Sequence, residues 1–415
     1  MTNDDISYDF IASYYGDTKL MQACKYNNIS TVVHLVEECR VDIEDINYEG
    51  KTALMDACIY GHHSIVSYLI DKGAKINRRD SYGNNELYFA IMGDKISIIE
   101  LLLKKGAKFH HKNTYGSDHL LAASMSKNTS IIKMLVDRGA NVHNKYLNGM
   151  SVLMNACRFG YEDMCKYLIS AGSDIHEKDR TGRTALVISI IYDHENIVKL
   201  LVENGADINC PTNIQETPLH ICLSYNNTGI SSYLIGKGAN VNVIDNTGRT
   251  PLIYCTLWGN DTVADLLIKN GADINVCDTD GRNLMIISTQ ANKKNMVMYL
   301  LKKNMNVDCR NIDGMTPLMI AVRENYIGLV KYLVSKGADL EAKDIFGNTV
   351  ADMQNCPVVK NYIFTQLLNR KIIPKKAKYK KVARFMDNAM FSVYTHPGGV
   401  YVTNKKKCYI EIMKP

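Results

Sequence analysis

No apolar run in this chain approaches the ~20 residues that a membrane-crossing helix needs. Its opening residues, "MTNDDISYDF", are acidic and lack the apolar core of a secretory signal. There is no Cys-x-x-Cys, no Walker lysine, no Gly-x-Ser-x-Gly and no dinucleotide fingerprint. "DHEN" at residues 193–196 lacks a second histidine at zinc-protease spacing. These absences remove the usual enzyme and metal sites one by one. They lead us to expect an intracellular, cytoplasmic or nuclear protein with no membrane association. The same absences predict no cofactor, no metal, no catalytic residue and no enzyme activity.

What the chain has is a period. Glycines at 50, 83, 116, 149 and 182, then 248, 281, 314 and 347, fall on one 33-residue step, with Gln215 filling the gap. A looser unit, one residue longer, opens at Gly16. Counting each opening residue as position one, position 20 is leucine in every unit, from Leu35 and Leu69 to Leu300 and Leu333. Apolar residues recur around it at helical spacing, as in Ile65, Val66, Leu69 and Ile70. Each unit therefore reads as two short amphipathic helices.

The punctuation agrees with that reading. Thr217, Thr250 and Thr316 each precede a proline, which makes them N-caps with proline at the first helical position. Position 12 is Gly, Asn or Asp in all units but one, where Lys127 stands. Those residue types tolerate positive φ, so position 12 is the turn between the helices. Gly or Asn at position 24, from Gly73 through Asn304 to Gly337, ends the second helix in a left-handed cap. The stretch that follows, "ADINVCDTDG" in one copy, is expected to form an extended, hairpin-like arm.

With these residues in view, the units resemble ankyrin repeats. The pattern Gly-x-Thr-Pro-Leu, helix, small turn, Leu-rich helix, Gly-Ala-Asp-Ile-Asn is legible from Gly248 to Asn275. The units at Gly83 and Gly116 lack the Thr-Pro, and Asn304 replaces a capping glycine. The resemblance implies an all-α repeat solenoid of stacked helix-turn-helix units with hairpin arms. The wording, rich in Tyr, Asn, Ile and Lys, is also similar to ankyrin proteins of giant DNA viruses.

Organisation follows from the period. We expect an acidic segment at residues 1–15, ten repeats at 16–346 and a degenerate capping repeat at 347–370. A basic linker at 371–381 and a small β-rich tail at 382–415 complete the chain. Cys356–Pro357 is expected to break the last unit's first helix early. Charge is uneven: residues 370–415 carry 12 Lys+Arg against 2 Asp+Glu, while the rest carries 37 against 41. The basic run of Lys375, Lys376, Lys378, Lys380 and Lys381 reads as a solvated linker, a nuclear-import signal or a phosphate-binding element. Lys405–Lys407 would add to the last.

Cysteines and histidines follow the repeat as well. Of the 12 cysteines, Cys24, Cys58, Cys157, Cys222 and Cys255 fall at a small, packed site on the first helix. All twelve are expected to be free, buried or half-buried thiols in a reducing compartment. His110, His143 and His176 share position 28, where Asn77, Asn209, Asn242 and Asn275 stand in other units. Adjacent units at ~10 Å spacing keep such side chains too far apart for one zinc ion. They read as hydrogen-bonding arm residues, and His62–His63 as surface.

Aromatic residues carry the binding signal. Position 11, at the end of the first helix, holds Tyr26, Tyr60, Phe159, Tyr192, Tyr225 and Trp258. Arm tips add Tyr48, Tyr82, Tyr115, Tyr146 and Phe346. In the family the chain resembles, these two places line the concave face that grips partners, and Tyr and Trp are favoured interface anchors. The competing reading packs the position-11 rings on the neighbouring helix. The expected function is a monomeric, non-enzymatic scaffold that binds protein partners, host proteins among them. The alternatives are a nucleic-acid-associated or nuclear-targeted protein using the basic tail, or a ubiquitin-ligase substrate adaptor. No F-box-like segment supports the last.

Overall fold

The computed structural model describes residues 16–353, 356–370, 391–396, 399–404 and 409–411. Residues 1–15 and the lysines at 375, 376, 378, 380, 381 and 405–407 lie outside the described residues. The chain divides into two compact units, Met1–Leu234 and Ile235–Pro415.

Helices in the first unit come in pairs: α1 (Lys19–Lys25) with α2 (Ile29–Glu37), α3 (Ala53–Tyr60) with α4 (His63–Asp71), and α5 (Glu86–Met92) with α6 (Ile96–Lys104). Next come α7 (His119–Ala123) with α8 (Thr129–Asp137), α9 (Val152–Phe159) with α10 (Glu162–Ser170), and α11 (Ala185–Ile191) with α12 (Glu195–Glu203). The last pair is α13 (Pro218–Ser224) with α14 (Thr228–Gly236), whose last two residues fall in the second unit. The second unit continues with α15 (Pro251–Trp258), α16 (Asp261–Lys269), α17 (Leu284–Gln290), α18 (Lys294–Lys302), α19 (Pro317–Arg323), α20 (Ile327–Ser335) and α21 (Pro357–Asn369). In the first unit α1, α3, α5, α7, α9, α11 and α13 pack in that order, each against the next; in the second, α15, α17 and α19 do the same. The architecture is an all-α repeat solenoid.

The helices begin and end as the residue types dictate. Thr52 Oγ1 accepts the Met55 amide at 3.4 Å, and Thr316 Oγ1 accepts that of Met319 at 3.3 Å. Pro218, Pro251 and Pro317 take the first helical turn, where an amide would have no intrahelical partner. At position 12, Asn27, Gly61, Asp94, Gly160, Asp193, Asn226, Gly259, Asn292 and Asn325 all take positive φ. Lys127 does not, and the helix before it, α7, is only 5 residues long. The left-handed cap after the second helix is Asn304 at φ 65° in one unit and the non-glycine Arg40 at φ 52° in the first.

Burial explains the invariant leucine. Leu69, Leu102, Leu135, Leu168 and Leu201 are wholly buried in the first unit, as are Leu267, Leu300 and Leu333 in the second. Each such side chain stabilises the stack by roughly 1.5–3 kcal/mol relative to exposure.

In the last unit residues 350–353 form turns in place of a first helix, and Pro357 opens α21, a 13-residue helix that packs on α20. Proline lacks an N–H, and the first turn is where its absence costs nothing. Arg370 donates to the carbonyls of Val334 at 2.8 Å and Ala338 at 3.1 Å, closing the exposed end of α20. Farther on, the backbones of β1 (Phe391–His396), β2 (Gly399–Asn404) and β3 (Tyr409–Glu411) pair antiparallel in that order. Phe391 stands opposite Asn404, and Tyr401 opposite Glu411.

Candidate functional site

Hydrogen bonds between neighbouring repeats fix where the first helices end, and with them the position-11 rings. In four repeats the residue before the second helix reaches the carbonyl at position 10 of the preceding repeat. In the first unit His62 Nε2 lies 3.0 Å from the Lys25 carbonyl, Tyr161 Oη donates to Met125 at 3.2 Å, and His194 Nε2 lies 3.2 Å from the Arg158 carbonyl. In the second, Tyr326 Oη donates to Gln290 at 3.4 Å. These carbonyls close the C-terminal turn of the first helix and have no partner within it. His63 is exposed as expected, but His62 is half-buried by this bond.

Apart from Tyr26, which is largely exposed, the position-11 rings are neither core nor free. Tyr60, Phe159, Tyr192, Tyr225 and Trp258, with the arm-tip residues Tyr82 and Tyr115, are each between 39% and 60% exposed. That range leaves one ring face on the protein and one open to solvent. In the first unit Phe159 stacks on Tyr161 with centroids 5.6 Å apart, and Tyr60 stacks on His62 at 6.3 Å. At the tips Tyr82 and Tyr115 stack on each other at 6.1 Å. Trp258 belongs to the second unit, where the next two position-11 residues are Ala291 and Glu324. Lys375, Lys376, Lys378, Lys380 and Lys381, the other candidate group, lie outside the described residues.

Arg158 was not anticipated. Its guanidinium lies 5.6 Å from the centroid of Phe159 and 5.6 Å from that of Tyr192. Such contacts orient a guanidinium without neutralising it. Position 10 carries no residue preference from unit to unit, so no repeat-level signal points to it.

Beside Phe159 the face sinks into a recess of about 360 Å³. Tyr115, Met125, Tyr146, Leu147, Arg158 and Phe159 line it. Position 11 of the two preceding repeats holds Gly93 and Ser126 instead of rings. Gly93 has no room for more: a Cβ there would lie 2.2 Å from the Ile59 carbonyl oxygen.

The histidines and cysteines do other work. His110, His143 and His176 are exposed, and among the described residues no three His, Cys, Asp or Glu side chains gather to hold a metal. The asparagines at the same position bond between arms: Asn77 Nδ2 donates to the Gly106 carbonyl at 3.3 Å, and Asn242 Nδ2 to that of Gly271 at 2.9 Å. Cys24, Cys58, Cys157, Cys222 and Cys255 are buried free thiols. Burial pushes Cys24 up to about 12 and Cys58 well above its usual value, which keeps both protonated and inert. Cys39 and Cys277 depart from the expectation by being exposed; both lie beyond the helices, where no layer covers them.

Two buried ionisable groups were also missed. Glu86 and His119 occupy position 4, the place of the proline in the Thr-Pro units. Glu86 Oε2 accepts the Asn77 amide at 2.8 Å, while its Oε1 is buried without a hydrogen-bond partner. Burial raises Glu86 to about 7 despite backbone donors that oppose the shift. The His119 ring lies 2.7 Å from Asn85 Oδ1 and 3.1 Å from the Phe109 carbonyl, and burial lowers it to about 3. Neither group opens to solvent, so neither is placed to act on a substrate.

Comparison with known proteins agrees with the repeat geometry. The family described as Ankyrin repeats (3 copies) matches residues 20–113, 120–212, 210–278 and 264–344, well over half of the chain. No curated protein matches it. Among the described residues no helix is long and apolar enough to cross a membrane.

Proposed function

The chain belongs to the ankyrin-repeat family, and from that premise we propose that it is a non-enzymatic scaffold that binds protein partners through its first-helix ends and arm tips. Ankyrin repeats are in general protein–protein interaction scaffolds. One observation carries the assignment to this face. Half-exposed rings recur at position 11, in Tyr60, Phe159, Tyr192, Tyr225 and Trp258, with Tyr82 and Tyr115 at the tips. Rigid rings with one face packed and one free cost little entropy to order on binding and are enriched among interface hot spots. The organisation that goes with this reading is ten repeats at 16–346, a capping repeat at 347–370, and a basic linker and tail beyond it. The scaffold acts as a monomer inside the cell, host proteins being the partners that the virus-like wording suggests.

The charge of residues 370–415, 12 Lys+Arg against 2 Asp+Glu, supports a second reading as a nucleic-acid-associated protein. Salt separates the two. Phosphate contacts weaken steeply as salt rises, whereas ring-anchored protein contacts do not. The experiment is capture from cell lysate at low and moderate salt, with the full chain and with a Tyr192→Ala, Tyr225→Ala, Trp258→Ala variant. Protein partners retained at moderate salt and lost from a folded variant support the scaffold. Capture that vanishes with nuclease or salt, and ignores the three rings, supports the basic tail instead.

A further inference from the structure

We infer that the recess beside Phe159 is a specificity pocket for a partner peptide carrying an aromatic or large aliphatic side chain next to a carboxylate. The inference rests on the scaffold reading and narrows it to one place and one chemistry. Three observations in the first unit converge on it.

The first is shape. The recess, about 360 Å³, has room for one large side chain and the backbone that carries it. It exists because the repeat pattern lapses there. Ser126 and, one repeat earlier, Gly93 stand where the next repeat places Phe159, and α7 stops at Ala123, before a Lys127 that does not enter the left-handed turn. The gap is therefore built into the first-helix layer.

Lining chemistry is the second. Tyr115, Met125, Leu147 and Phe159 are all exposed at the recess, so its wall is apolar surface already open to solvent. Burying such surface is favourable. Met125 adapts its shape to what enters. The polar floor is already engaged, since buried Asn155 donates to Ser124 Oγ at 2.8 Å. An apolar group is the natural occupant.

Charge is the third. Arg158 is the charged residue of the lining, and no acid lines the recess. Among the described residues no carboxylate lies within ion-pair distance of it. Phe159 and Tyr192 hold its guanidinium in place, so a partner would meet a cation that is already oriented. A planar, pre-set guanidinium favours a carboxylate, which it can engage with two parallel hydrogen bonds. The chemistry that fits is an acidic residue adjoining a large apolar one.

The test uses the full chain and fluorescein-labelled twelve-residue peptides read by fluorescence anisotropy. The peptides share one sequence except for a central Asp-Phe, Asn-Phe, Lys-Phe or Asp-Ala. Asp-Phe is expected to bind tightest, by about tenfold or more over Lys-Phe and Asp-Ala. Arg158→Gln should cut Asp-Phe binding about tenfold and bring it level with Asn-Phe. Phe159→Leu, which keeps an apolar wall but removes the ring beneath the guanidinium, should reduce the same preference. Equal affinity for all four peptides, or no binding by any of them, overturns the pocket even with the variants left aside. If lysate capture still depends on Tyr192, Tyr225 and Trp258 in that case, the scaffold reading stands and only the pocket falls. Concentration-dependent self-association abolished by Arg158→Gln would also overturn it, by making a second copy the occupant.

Discussion

The repeat opening at Gly314 and the one opening at Gly83 start their first helices differently. In the first, Thr316 caps the helix and Pro317 fills position 4. In the second, Asn85 takes over the cap, its Oδ1 accepting the Tyr88 amide at 3.1 Å, and Glu86 fills position 4 wholly buried. The repeat at Gly116 repeats the substitution with Asp118 as cap and His119 at position 4. Proline asks nothing of its surroundings, whereas Glu86 and His119 need partners and bring a titration into the core. One backbone outcome is thus reached by two routes, and only one of them should be sensitive to pH.

The largest effect should be the same on both sides of this comparison. Leu102 and Leu333 sit at position 20 of the Gly83 and Gly314 repeats and are both wholly buried. Each leucine-to-alanine change should cost about 2–5 kcal/mol by denaturant unfolding. A cost confined to one of them would mean that the two repeats do not share a core design.

Titration comes next. Glu86 is raised from 4.5 to about 7 in the fold, so the stability it contributes is full below 4.5 and is lost as pH rises through about 7. His119 is lowered from 6.5 to about 3, so its contribution is full above 6.5 and is lost as pH falls toward 3. The two slopes oppose each other between pH 4.5 and 6.5. Relative to the parent chain, Glu86→Gln should gain on the order of 2 kcal/mol between pH 4.5 and pH 8. His119→Asn should gain on acidification instead. Parallel stability curves for parent and Glu86→Gln across that range would remove the pH half of the comparison.

Smaller still is the cap. Thr316→Ala should lower stability by about 1 kcal/mol, read as a shift in urea midpoint, with no dependence on pH between 5 and 8. At the small end, Tyr192→Ala and Tyr225→Ala should each change stability by no more than about 1 kcal/mol, because half of each ring already faces solvent. A large loss of melting temperature in either would return these rings to the core.

What the sequence makes legible is whatever one repeat settles by itself. The caps at Thr52 and Thr316, the positive φ at Asn27 and Asn292 and the burial of Leu168 depend on local residue type and spacing. The bond between the ring of His62 and the carbonyl of Lys25 depends on a residue 37 positions away, and no period within one repeat announces it. The same holds for Arg158, whose role comes from two rings in adjacent repeats, and for Glu86, whose partner is the preceding arm. Pro357 marks a helix boundary in the sequence, but that it also opens the 13-residue α21 depends on packing against α20, which lies outside its own unit.

The central claim is that partners engage the ring-bearing face. The most direct measurement is amide hydrogen exchange on the full chain, alone and with a partner captured from lysate. New protection should appear at the ends of α9, α11, α13 and α15, next to Phe159, Tyr192, Tyr225 and Trp258, and at the arm tips by Tyr82 and Tyr115. Protection confined to the second helices, or to residues 371–415, would contradict the account.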